Sequence, residues 1–170
     1  ETHGDRPAVS FQLLSDPRAP AETRSWAELH RIVTRTANLL RSLGVGEEDA
    51  VAYLLPNANE TVAAFLGGAV AGIANPINPL LEPEQIAGIL RETDAKVLIT
   101  LKAFPKTDIA QKAAEAVRLA PNVTHVLEVD LARYLTGVKR LVVPLIRPRA
   151  KVAHEARVLD FDAATRGQPA

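Results

Sequence analysis

Apolar positions along the chain follow two alternating rhythms. Between residues 25 and 44, Trp26, Leu29, Val33, Thr36, Leu40 and Leu43 recur at spacings of three and four, which predicts one buried face of a helix. Ser25 followed by Glu28 forms a capping box at its start, and Gly44 stands where a left-handed C-terminal cap belongs. Residues 50–55 are apolar without alternation and end at Pro56, the pattern of a strand buried on both sides. Asn57 with Glu60 repeats the cap signature and predicts a helix burying Val62, Phe65, Leu66, Ala69 and Val70. Residues 73–77 read as a second strand. Pro83 then opens a helix whose core edge is Ile86, Ile89 and Leu90. A third strand over 96–101, an alanine-rich helix over 107–119 and a fourth strand over 123–129 complete the series.

Strands that begin near residues 50, 73, 96 and 123, each separated by a helix, are βαβ units. Their right-handed crossovers predict an α/β fold, a parallel, doubly wound sheet with flanking helices. Residues 1–24 read as an irregular lead-in with a short early strand within 6–14, and 25–130 as the βαβ core. The pattern weakens over 131–170, where no element is assigned.

The stretch from Gly67 to Ile86, GGAVAGIANPINPLLEPEQI, raises the question of a phosphate-cradling loop. Such a loop turns several backbone N–H groups on one anion at a helix N-terminus, so it must follow a strand and precede a helix. Gly67, Gly68 and Gly72 lie late in a predicted helix and before a strand, with no GxGxxG or GxxxxGK[ST] spacing. Close packing of helix on sheet is the expected role. The steps Asn75-Pro76 and Asn78-Pro79 hold an extended exit, because proline restricts the residue before it.

Composition changes this picture only by exclusion. Hydrophobic residues are 47% and charged residues 24% of 170, as in globular proteins, and twenty basic side chains balance twenty acidic ones. That balance and an aromatic content of 4% point away from nucleic acid. No apolar run approaches the roughly 20 residues of a membrane-spanning helix. Cysteine is absent, which excludes disulfides and thiolate metal sites and fits a reducing compartment, the cytoplasm being the expected location. Methionine is absent too, so the chain is expected to be a piece of a longer one.

Candidate chemistry is sparse. His3, His30, His125 and His154 are scattered, without metal-ligand spacing. No Gly-x-Ser-x-Gly elbow occurs. Asp160 and Asp162 alternate along a possible strand, too few for a metal site. Asn59 and Asn122 head glycosylation sequons without a secretory context. Lys139, Arg140, Arg147, Arg149 and Lys151 form a basic cluster with interleaved apolar residues. It reads as a strand or loop with solvated flanks rather than a membrane or CoA contact, because Pro144 and Pro148 interrupt any amphipathic helix. No catalytic, cofactor or metal residue is assigned.

In order, the segment from Ser25 to Thr100 resembles the N-terminal region of the adenylate-forming enzymes, acyl-CoA synthetases among them. LGVGEEDAVAYLLPNANE resembles that family's LGV-x-x-GD-x-VA-x-x-LPN-x-x-E, GGAVAGIANPINPLLEPEQIAGIL its second core motif, and DAKVLIT the strand that follows. The Asn-Pro steps look more like CoA ligases than peptide-synthetase domains. Glu47-Glu48-Asp49 departs from the usual Gly-Asp turn.

This resemblance implies a two-step ligase acting on a carboxylic acid, fatty or aryl, with ATP, Mg²⁺ and CoA. It also implies that the phosphate loop, ribose-binding aspartate and C-terminal lysine lie downstream. The chain holds no TSGTTG-x-PK-like run, so by itself it is expected to bind no cofactor and to be inactive. Two other readings stand beside this one: a free-standing doubly wound binding or signalling module, and an assembly element that forms a homo-oligomer.

Overall fold

The computed structural model describes residues 3–15, 18–146 and 156–170. Its centre is a five-stranded, wholly parallel sheet in the order β4-β3-β5-β6-β7. The strands are β3 (Ala50–Leu54), β4 (Ile73–Pro76), β5 (Val97–Leu101), β6 (His125–Val129) and β7 (Arg157–Asp160). Every residue of β3 and β5 is buried, as the unbroken apolar runs require.

Between the strands run α2 (Asn59–Ala71), α3 (Pro83–Glu92) and α4 (Ile109–Arg118). The chain steps from β3 outward to β4, then back across β3 to β5 and on to β6. Right-handed crossovers therefore put α2 on one face and α3 and α4 on the other. The point where the direction reverses, between β3 and β5, is the switch point of a doubly wound sheet. The predicted fold class is the observed one.

Helix α1 (Trp26–Ser42) packs on α2, and its predicted ends are both present. The Glu28 amide donates to Ser25 Oγ at 3.3 Å, and the Ser25 amide to Glu28 Oε2 at 2.8 Å. At the far end Gly44 has φ +88°, and the amides of Gly44 and Val45 donate to Arg41 O and Leu40 O, closing the last turn. The turn into β3 closes despite its departure from the Gly-Asp pattern. Asp49 accepts the Gly46 amide at 2.8 Å and Lys96 Nζ at 2.9 Å. The first of these, then the second, holds its carboxyl below the usual range.

Several expectations change. The lead-in is an antiparallel hairpin of β1 (Pro7–Phe11) and β2 (Glu22–Ser25), whose Arg6 and Gly4 carbonyls accept the first free amides of α1. Trp26, expected in the core, is 54% exposed. Ala58 rather than Asn57 caps α2, with no side-chain bond. The face of α2 is reversed: it buries Ala63, Ala64, Gly67, Gly68 and Ala71, while Phe65 and Val70 are exposed. Small residues face inward because α1 and β3 come too close for large ones.

The unassigned tail is structured where described. Leu131–Tyr134 forms a short 3-10 turn, α5 spans Gly137–Ile146, and α6 (Phe161–Arg166) follows β7 directly. Helix α5 runs through Pro144, contrary to the strand or loop expected there. Arg147, Arg149 and Lys151 lie outside the described residues, and with them the question of what the basic cluster touches.

Candidate functional site

The glycine stretch builds no anion cradle. A Cβ on Gly67 would lie 2.6 Å from Thr36 Cγ2, and one on Gly72 would lie 2.5 Å from Asp49 O. Gly68 faces Val51 at 3.4 Å. All three serve close approach of α2 to α1, β3 and the turn before it. The phosphate-loop question is answered by packing.

Chemistry-bearing side chains gather elsewhere, in a cleft of about 240 Å³ between α1, the first turn of α2 and α6. Its lining includes Asn59 and Glu60 after β3, Arg133 after β6, and Phe161 and Asp162 after β7. These follow the carboxyl ends of parallel strands, where doubly wound sheets place their ligands. Helix α1 adds Glu28, Arg31 and Arg35, and α6 adds Thr165 and Arg166.

Arg133 organises the floor. Its guanidinium takes Glu22 with both Nη atoms at 3.0–3.2 Å, Glu60 Oε1 at 3.3 Å and Asp162 Oδ2 through Nε at 2.9 Å. It also lies 4.4 Å over the Tyr134 ring, whose hydroxyl donates to Glu60 Oε2 at 2.7 Å. Phe11 of the hairpin packs edge-on against that ring at 4.8 Å. The hairpin, the sheet and α6 thus meet at one charge.

Burial governs the protonation of this group. Glu60 is 4% exposed, and desolvation pushes its carboxyl up against the opposing pull of Tyr134 and Arg133. Desolvation likewise raises Asp162, which Arg133 and Arg166 draw back down. The Tyr134 hydroxyl is pushed up by desolvation and then by Glu60, so it stays a donor at neutral pH.

Of the residues weighed in the sequence as candidate ligands or modification sites, two enter the cleft. Asp162 enters it on α6, not on a strand, while Asp160 caps that helix by accepting the Ala163 amide at 2.8 Å. Asn59 enters it as a buried amide donating to Glu22, a posture unlike that of a sequon on a surface loop. Asn122 is likewise engaged, donating to Leu90 O and Ala95 O. His30 is exposed, and His125 is bonded to Thr124 at 3.0 Å, its pKa lowered by desolvation and Arg157. His154 lies outside the described residues. Among the described residues no three His, Cys, Asp or Glu side chains converge to hold a metal ion.

Sequence reading did not single out Arg133, Tyr134 or Arg35. Glu60 was read only as a helix-cap partner. Its burial six residues beyond the end of β3, opposite an arginine in a distant segment, has no periodic signature.

Residues 1–153 match the family described as AMP-binding enzyme. The chain is 34% identical over 122 residues to marinolic acid–CoA ligase of Pseudoalteromonas sp. (strain SANK 73390), covering 71% of this chain and 18% of that protein. To acetyl-coenzyme A synthetase of Escherichia coli (strain K12) it is 30% identical over 129 residues, covering 75% and 19%. To crotonobetaine/carnitine–CoA ligase of Salmonella paratyphi A it is 35% identical over 105 residues, covering 61% and 20%. The chain therefore spans about one fifth of the length of these relatives.

Solved structures agree in fold. Acetoacetyl-CoA synthetase from Streptomyces lividans superposes with a TM-score of 0.72 at 24% identity, over 99% of this chain and 24% of that one. The anthranilate CoA ligase AuaEII in complex with anthranoyl-AMP gives 0.67 at 24% identity, over 99% and 26%.

Proposed function

The chain belongs to the AMP-binding enzyme family, and from that premise we propose that it is the N-terminal part of a longer ATP-dependent acid–CoA ligase. The observation that carries this reading is a pairing of extent with packing. The family match covers residues 1–153, while the glycines that invite a nucleotide are consumed by helix–sheet contact. The nucleotide loop, on this reading, belongs to sequence outside these 170 residues, and the isolated chain is inactive.

The reaction of the whole protein would join a carboxylic acid to AMP with release of pyrophosphate. CoA thiol would then displace AMP to give the thioester. Relatives named for marinolic acid, acetyl-CoA and crotonobetaine or carnitine differ widely in their acids, so the substrate is proposed as a carboxylic acid, fatty or aryl. ATP, Mg²⁺ and CoA are assigned to the longer protein, and no described residue here is assigned to any of them. The cytoplasm is the proposed location. No described helix is long and apolar enough to cross a membrane.

This chain's contribution would be a wall: a rigid parallel sheet whose carboxyl ends, tied together by Arg133, support downstream loops. Assay of pyrophosphate and AMP release with a panel of acids, on this chain and on the longer protein, tests the reading. Turnover only by the longer protein is expected. Turnover by the 170-residue chain would overturn it.

A further inference from the structure

The cleft between α1, α2 and α6 presents more donors than its own carboxylates use. Five guanidinium groups line it. Arg133 is taken up by Glu22, Glu60 and Asp162, and Arg24 pairs with Glu22 at 2.7 Å. Among the described residues, Arg31, Arg35 and Arg166 form no ion pair; Arg31 acts on Glu28 and Arg166 on Asp162 only through longer-range attraction. Glu28 is itself committed to the Ser25 amide.

Buried polar atoms in the same cleft lack partners as well. The Nε atoms of Arg24 and Arg35 are buried and unbonded, as are Thr165 Oγ1 and Asn59 Oδ1. Thr165 is 5% exposed and Asn59 7%. The orientation of Asn59 is fixed, because its Nδ2 donates to two Glu22 oxygens and leaves Oδ1 the orphan acceptor. Buried polar groups are ordinarily hydrogen-bonded, so four such atoms in residues lining one cleft are donors and acceptors open to a partner.

We propose that this cleft binds a small phosphate-class oxyanion, gripped by Arg31, Arg35 and Arg166 and by the Thr165 hydroxyl. A tetrahedral anion offers oxygens in several directions, so forks arriving from two helices can each be met. Its monoprotonated form also carries an O–H that Asn59 Oδ1 can accept. At about 240 Å³ the cleft falls below the roughly 300 Å³ at which pockets for drug-sized ligands begin, which selects a phosphate group over a whole nucleotide. This site is independent of the ligase reading, since no acyl or nucleotide chemistry enters it.

The test is titration of inorganic phosphate into the 170-residue chain at constant ionic strength, read in ¹H–¹⁵N spectra of the arginine Nε–H groups. Saturable shifts at Arg31, Arg35 and Arg166 are expected. The double variant Arg31→Gln/Arg35→Gln should weaken binding about tenfold or more, the loss that charge-assisted hydrogen bonds imply. Arg118→Gln, which breaks only an exposed pair with Glu115, should leave the affinity unchanged. A parallel titration with glycerol phosphate separates sources: equal affinity indicates free phosphate, tighter binding an esterified one. Linear shifts, an unchanged affinity in the double variant, or equal binding of succinate would overturn the assignment. Should the double variant fail to fold, the wild-type titration and the succinate comparison still decide.

Discussion

Arg133 spreads one positive charge over Glu22, Glu60 and Asp162, and Glu60, at 4% exposure, depends on it most. Removing one partner of a buried pair leaves an uncompensated charge, which costs about 3–5 kcal/mol. Arg133→Met is expected near the lower end, about 3 kcal/mol, because Arg133 is 24% exposed. The loss should depend on pH. Burial raises the folded pKa of Glu60 above its ordinary 4.5, so stability falls as pH climbs from there through the folded value. Losing Arg133 removes a pull that lowers that pKa, which extends the window upward. Urea unfolding should therefore give a smaller difference between wild type and variant at pH 5 than at pH 7.5. An equal loss at both would show that packing, not charge, is what Arg133 supplies. Little of this was legible beforehand, because contacts between residues 22, 60, 133 and 162 are set by topology and not by spacing.

Elements were legible where caps and periodicity agree, and misread where a helix is apolar all round. Helix α1 has a polar face, so its capping box and Gly44 define it from sequence alone. Helix α2 lacks that contrast, and reading its large residues as the core chose the wrong face. What decides its orientation is distance: small residues face inward because they alone allow α1 and β3 to approach. Two glycines turn this into opposite outcomes for one substitution. Gly67→Ala drives a methyl to 2.6 Å from Thr36 and should cost about 1–3 kcal/mol through overpacking. Gly88→Ala, inside α3 with nothing within 4 Å, should stabilise by about 0.5–1 kcal/mol through helix propensity. Thermal melts of the two variants check the pair; like signs would refute close packing as the reason for Gly67.

For the whole molecule, the reversed face of α2 has a consequence at the sheet edge. Phe65 and Val70 are 48% and 52% exposed, and Ile73, on the edge strand β4, is 55% exposed. These exposed apolar side chains lie on one helix and the strand that follows it, and large exposed apolar patches are the surfaces that partners cover. On the proposed reading the cover is the remainder of the longer ligase, whereas an assembly element would cover it with a second copy. Phe65→Glu with Val70→Lys separates these. In the isolated chain the double variant should keep its melting temperature, because neither side chain contributes to the buried core. In the longer protein the same pair should lower the melting temperature by several degrees, since charges would enter a dry interface. Light scattering reads the alternative directly: an isolated chain that dimerises and becomes monomeric in the double variant would favour a second copy. A longer protein indifferent to the substitutions would leave this face as solvent-exposed surface and remove it from the case for a covering domain.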